Sequence, residues 1–170
     1  QVAVTFGKAL GKESAAKAYM SNAKDAVAKV EDPAQRSEAL IVVASAYFQL
    51  EQKDEADKLT EEAVSLALAM DDVSKRADAV AAIAAKMATM NRPEEANELY
   101  SKAVEAADAI EDDFTKAHVL ADLARRLSEA GDRDRALQLL DKAKAASDQI
   151  SDSGLKKEVQ DKIGQYRDYM

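Results

Sequence analysis

Residues 71–110 read DDVSKRADAVAAIAAKMATMNRPEEANELYSKAVEAADAI, and this stretch decides the fold because its neighbours repeat it without an insertion. The segment before it, 31–70, is EDPAQRSEALIVVASAYFQLEQKDEADKLTEEAVSLALAM, and the one after, 111–150, is EDDFTKAHVLADLARRLSEAGDRDRALQLLDKAKAASDQI. Segments starting at Glu31, Asp71, Glu111 and Ser151 align with a period of 40. Asp32, Asp72, Asp112 and Asp152 share one column, and a base stands four positions later at Arg36, Arg76, Lys116 and Lys156. A small residue recurs at Ala44, Ala84, Ala124 and Gly164. Then come Ala56, Ala96 and Ala136; Leu59, Leu99 and Leu139; Ala63, Ala103 and Ala143; and a closing Met70, Ile110 or Ile150. A fixed period of this length marks a repeat architecture, in which a unit buries its apolar face only against its neighbours.

Working outward, residues 1–30 fit the same frame, with Ala16 on Ala56, Ala23 on Ala63 and Val30 on Met70. The chain therefore reads as one solenoid domain over 1–170. A partial repeat (1–30) precedes full repeats at 31–70, 71–110 and 111–150, and a C-terminal capping helix occupies 151–170. Apolar residues at helical spacing predict helices at 13–30, 34–51, 54–70, 73–91, 94–110, 113–131, 134–150 and 153–169. Val2-Ala3-Val4-Thr5-Phe6 is β-branched enough to leave the first residues open between a short helix and an extended piece.

Local chemistry agrees with these boundaries. Asp32 before Pro33 offers an N-cap and a proline at the first helical position, Asp72 and Asp112 cap likewise, and Asp54 starts a second helix. Asn91-Arg92-Pro93 and Gly131-Asp132 end first helices. The Asp-to-base spacing places opposite charges on one helix face, worth about 0.2–0.5 kcal/mol per pair.

Composition bounds the function. A net charge of −8, with basic residues interleaved among acids, supplies no Lys/Arg stripe for nucleic acid and disfavours anionic membranes. No apolar run approaches the roughly 20 residues that span a bilayer. There is no cysteine, so disulfides and thiolate chemistry are excluded. The chain is expected to be soluble. Its start at Gln1 is compatible with a processed exported protein or with an excerpt, and the compartment stays open.

The alanine spacing resembles the tetratricopeptide repeat. The first-helix signature runs Leu40, Val43-Ala44, Tyr47; then Val80, Ile83-Ala84, Met87; then Leu120, Leu123-Ala124, Leu127. The second-helix signature runs Ala56, Thr60, Ala63; Ala96, Tyr100, Ala103; and Ala136, Leu140, Ala143, with Ala16, Met20, Ala23 in the partial unit. The unit is longer than the family's usual 34 residues, and the family's aromatic positions are mostly aliphatic here. The resemblance implies an all-α fold, a right-handed α-solenoid of antiparallel helix pairs, whose first helices line a concave face that binds a peptide or a partner helix.

Carried over residue by residue, the implied lining is Glu38, Ile41, Ser45, Phe48 and Gln49 in the first full repeat. The second contributes Asp78, Ala81, Ala85, Ala88 and Thr89; the third, His118, Ala121, Arg125, Ser128 and Glu129. The same alanines would equally serve tight curvature. Family members that grip a C-terminal carboxylate do so with Lys and Asn, and the matching positions here carry Ile41, Ser45, Ala81 and Ala85, so that clamp is missing.

Other residues point to structure rather than chemistry. His118 is the lone histidine and lacks a partner motif for metal or catalysis. The acidic turns Asp71-Asp72 and Glu111-Asp112-Asp113 lack the glycine and ligand spacing of a calcium loop. Arg125-Arg126 with Arg133 and Arg135 reads as a solvated face beside Asp132 and Asp134. Met20, Met70, Met87 and Met90 sit at core spacings. With no phosphate loop or nucleophile elbow, neither an enzyme nor a cofactor is expected.

The ends carry a second expectation. The last helix keeps Val159, Ile163 and Gly164 for packing inward, while Tyr166, Tyr169 and Met170 make an amphipathic finish. At the start, Val2, Val4, Phe6 and Leu10 are available. The favoured function is a non-catalytic protein–protein interaction scaffold. The alternative is a structural subunit stacking head to tail through half-repeat ends into an oligomer or filament.

Overall fold

The computed structural model describes the backbone of residues 13–170 and the side chains of residues 18–170. Among the described residues, eight α-helices follow one another: α1 (Glu13–Val27), α2 (Pro33–Gln49), α3 (Lys53–Leu68), α4 (Val73–Thr89), α5 (Pro93–Asp108), α6 (Asp113–Glu129), α7 (Arg133–Gln149) and α8 (Ser153–Tyr169). The expected start of the chain, with Val2, Val4, Phe6 and Leu10, lies outside the described residues. No helix described is long and apolar enough to cross a membrane.

Packing is pairwise. The heaviest contacts join α2 to α3, α4 to α5 and α6 to α7, and each first helix also packs on the next, α2 on α4, α4 on α6 and α6 on α8. The backbones of second helices come close to the following first helix rather than to one another, so the first helices take the inner radius of an all-α solenoid. The reason is steric. Ala44, Ala84 and Ala124 on first helices are wholly buried, as are Ala56, Ala63, Ala103, Ala136 and Ala143 on second helices. Columns of methyl groups let the backbones close, and Leu40, Val80, Leu120 and Leu139 fill the space between pairs. The four methionines expected in the core are all there. Two buried serines satisfy themselves inside their own helices, Ser37 Oγ donating to the Ala34 carbonyl (2.9 Å) and Ser147 Oγ to that of Lys144 (2.7 Å).

The recurring Asp-and-base turn divides its work between two helices. Asp32, Asp72, Asp112 and Asp152 each accept from a backbone N–H of the helix they precede. The base does not pair with its aspartate, as the spacing suggested. Arg76 instead donates to the Met70 carbonyl in the turn just past α3 (2.6 Å), Lys156 to that of Asp148 in the last turn of α7 (2.8 Å), and Arg36 to Glu62 on α3 (2.6 Å). Asp54 lies inside the first turn of α3, whose N-cap is Gln52. Between paired helices the chain passes through a left-handed residue at the same register each time: Glu51 (φ 64), Asn91 (φ 58) and Gly131 (φ 91).

On the convex side, long side chains tie successive second helices together: Lys24–Glu55 (2.9 Å), Arg92–Asp57 (2.8 Å) and Lys142–Asp108 (2.7 Å). These pairs lie at the surface, where solvent screens them and they add little to stability.

Candidate functional site

The first helices present one stripe to the concave side, and it departs from the expected one in a single column. Ile41, Ala81 and Ala121 do not line the groove; they are 0–1% exposed, enclosed between packed helices. Their neighbours face outward instead. Val42 is 48% exposed, Ala82 borders a hollow, and Asp122 and Lys162 meet across α6 and α8. Phe48 is half-buried and leans on the core. Gly164 also differs from expectation, since among the described residues nothing packs within 4 Å of where its Cβ would stand, whereas Val159 and Ile163 do point inward.

Three hollows follow the stripe. The first, about 430 Å³, lies between α2 and α4 and is bordered by Glu38, Lys75, Asp78, Ala82 and, from α6, Arg126. The second, about 390 Å³, lies between α4 and α6 and is bordered by Ala85, Ala88, Thr89, Tyr100, Arg126 and Glu129. The third, about 350 Å³, lies between α6 and α8 and is bordered by Arg125, Ser128, Glu129, Tyr166, Tyr169 and Met170. Arg126 walls the first two and Glu129 the last two, so the hollows form one interrupted trench. The residues expected for partner binding (Arg125, Ser128, Glu129) and those expected for end association (Tyr166, Tyr169, Met170) thus share one hollow. Ser45 and Gln49 hold the same register on α2, half-buried and exposed respectively, without bordering these hollows.

The electrostatics change along the trench. At the α6–α8 joint, Asp122 accepts from Lys162 Nζ (2.8 Å) and from the Tyr166 hydroxyl (3.0 Å). Lys162 also donates to His118 Nδ1 (3.1 Å), which places the neutral imidazole's proton on Nε2, 3.6 Å from Glu158. Phe114 meets the same ring edge-on at 4.5 Å. Burial, helped by the Lys162 charge, holds the His118 pKa below its ordinary value. Arg125 is engaged by Glu129.

At the α4–α6 joint Thr89 and Glu129 are engaged, by the Lys86 carbonyl and Arg125, but three other polar groups are not. Asp78 stands at the groove surface, yet the walls around it push its carboxyl above the usual range, burial outweighing the pull of Arg126. Arg126 has no hydrogen-bonded or ion-pair partner among the described residues, and its Nε is buried. The Tyr100 hydroxyl is buried and unpartnered as well, and burial raises its pKa. Sequence reading passed over Arg126 as part of a solvated basic cluster and over Tyr100 as a packing residue. Among the described residues, no group of three or more acids and histidines is gathered as metal ligands would be.

No family model and no curated protein matches the sequence. A solved structure does: Ton1535 from Thermococcus onnurineus NA1 superposes over 98% of this chain with a TM-score of 0.75 at 23% identity. Ton1535 has this fold. The likeness extends to the fold alone, and the chain spans 46% of the length of Ton1535. What the concave face holds must be argued from its own residues.

Proposed function

We propose that this chain is a binding scaffold, without chemistry of its own, whose first-helix face takes up an extended segment of another protein. The observation that carries the reading is the trench itself: three hollows with shared walls crossing α2, α4, α6 and α8. Its floor is of small residues, Ala82, Ala85 and Ala88, which lets a bound backbone come close. The resemblance to tetratricopeptide repeats supports the same face. First helices about 8–10 Å apart and a strand advancing about 3.3 Å per residue would give each hollow one side chain in roughly three.

The test is a library of 12-residue peptides displayed as N-terminal fusions and panned on the full chain. Enriched sequences, remade as amidated peptides, should bind at micromolar Kd and weaken more than tenfold on Ala82→Arg. Glu61→Arg, on the exposed face of α3, should change nothing. Peptides indifferent to Ala82→Arg would exclude the trench as their site.

A second reading rests on α8, where Tyr169 is 89% and Leu155 41% exposed. Self-association through that helix would appear in sedimentation as a concentration-dependent mass, abolished by Tyr169→Glu with Leu155→Glu. A constant monomer mass would remove it.

A further inference from the structure

The repeat contains its own control for what packing requires. The column holding Tyr100 is Met20, Thr60, Tyr100 and Leu140, all buried. Met20 and Leu140 show that an apolar side chain serves the position, and Thr60 satisfies its own hydroxyl on the Ala56 carbonyl (2.8 Å). Tyr100 alone brings in a hydroxyl that no described group meets, and it stands at the wall of the middle hollow. Leaving a buried donor unmade is costly, so the position gains nothing from tyrosine by packing alone.

The column across the groove gives the complementary fact. Between α6 and α8, donors Lys162 and Tyr166 converge on the Asp122 carboxylate. One repeat earlier, Asp122 and Arg126 hold the registers of Lys162 and Tyr166, and Ala82 holds that of Asp122. The α4–α6 joint therefore has a guanidinium in place with no carboxylate of the described residues hydrogen-bonded to it, Asp78 acting on Arg126 only across the hollow.

Resting on the trench reading, we propose that the middle hollow receives an acidic side chain of the bound segment, held by Arg126 and Tyr100, with a basic side chain of the same segment in the hollow before it. The carboxylate would do for Arg126 what Asp122 does for Lys162. Small walls at Ala85 and Ala88 leave space for an aliphatic stem, and Glu129 is already committed to Arg125. The hollow before it carries three acids, Asp32, Glu38 and Asp78, against two bases, Lys75 and Arg126, so its excess of acid suits a cation at the end away from Arg126. Arg126 borders both hollows, so the segment runs past it, and the acid is a side chain within the segment rather than its C-terminus. At about 8–10 Å between helices and about 3.3 Å per residue, acid and base stand roughly three residues apart.

Peptides recovered from the same library, which displays no free C-terminal carboxylate, should share an Asp or Glu at a fixed position with a Lys or Arg about three residues away. Changing that acid to its amide, or Arg126→Ala, should each raise Kd about tenfold, and the two together no more than either alone. Tyr100→Phe should raise Kd about threefold while raising Tm, because it removes the unmet hydroxyl. Trench-dependent peptides without a fixed acid, or an acid whose removal costs the same in Arg126→Ala, would overturn the proposal while leaving the trench reading intact. Finding no peptide that responds to Ala82→Arg would overturn both.

Discussion

The joints on either side of α6 use the same helix register to opposite ends. Toward α8, Asp122 gathers Lys162 and Tyr166, so these polar groups meet inside the joint beside a hollow of about 350 Å³, with His118 Nε2 left without a hydrogen-bond partner among the described residues. Toward α4, Ala82 stands in the acceptor column, and Arg126 and Tyr100 are left facing an open hollow. In a repeat whose alanine columns are nearly invariant, a single groove column decides whether neighbouring first helices complete each other or leave a place for a ligand. The comparison stands only if the two joints share one backbone frame, and that is where it can be broken first.

Ala84 and Gly164 hold the same register in α4 and α8, one wholly buried and one open. Ala84→Leu should overpack the α4–α5 pair and cost about 3 kcal/mol in urea unfolding. Gly164→Ala, in a helix interior with nothing nearby, should gain up to about 1 kcal/mol. A cost below about 1 kcal/mol at Ala84 would mean that the helix pairs have slack, and the shared frame with it.

Exchanging the deciding column comes next in size. Asp122→Ala leaves Lys162 and the Tyr166 hydroxyl without their acceptor and should cost about 2 kcal/mol. Hydrogen exchange should show the loss concentrated in α8 amides; a uniform rise would deny that Asp122 closes that joint. The reverse exchange, Ala82→Asp, supplies Arg126 with a carboxylate and should abolish peptide uptake in the middle hollow, with stability changed by no more than about 1 kcal/mol.

Most of the frame was legible in the sequence because the frame is steric. The alanine columns at 44, 56 and 63, repeated 40 and 80 residues later, are buried at every occurrence. Helices begin where the aspartates of the recurring turn cap them. Family positions misplaced one column of the groove, Ile41, Ala81 and Ala121, while others they gave, such as Asp78, Ala85 and Arg125, border the hollows. A column comparison holds the missing signal: 41, 81 and 121 remain apolar through the full repeats, while 42, 82, 122 and 162 turn from valine to aspartate and lysine. A column that tolerates charge faces water. Arg126 and Tyr100 were missed for a different reason, since an unmet donor is visible only once its surroundings are placed. The turn residues test the same logic at about 1 kcal/mol. Glu51 has a left-handed φ of 64 where Gly131 stands two repeats on, so Glu51→Gly should stabilise by that amount and Gly131→Ala should destabilise. Equal denaturation midpoints would mean that the turns are not equivalent.

The smallest expected effects separate the joints by pH. Asp78 faces Arg126, Asp122, Lys162 and Asp72, and its carboxyl is raised in the folded state by burial. The folded chain therefore takes up this proton more readily than the unfolded one. Asp78 weakens the fold at neutral pH, and that penalty fades as pH falls toward and below the ordinary value of 3.8. Asp78→Asn should raise Tm at pH 7, with the advantage gone in acid. His118 faces Lys162, Glu158 and Asp122, and its pKa is lowered in the folded state. Its contribution is intact above the ordinary value of 6.5 and is lost as pH falls from there through the folded value, because the unfolded chain is protonated first. A proton on Nδ1 would also point at the Lys162 ammonium and part α8 from α6. His118→Gln should flatten that segment of the Tm–pH curve, and Asp78→Asn should flatten the more acidic one. Acid should thus loosen the closed joint before it relieves the open one, and a single inflection common to both variants would show that the joints titrate together.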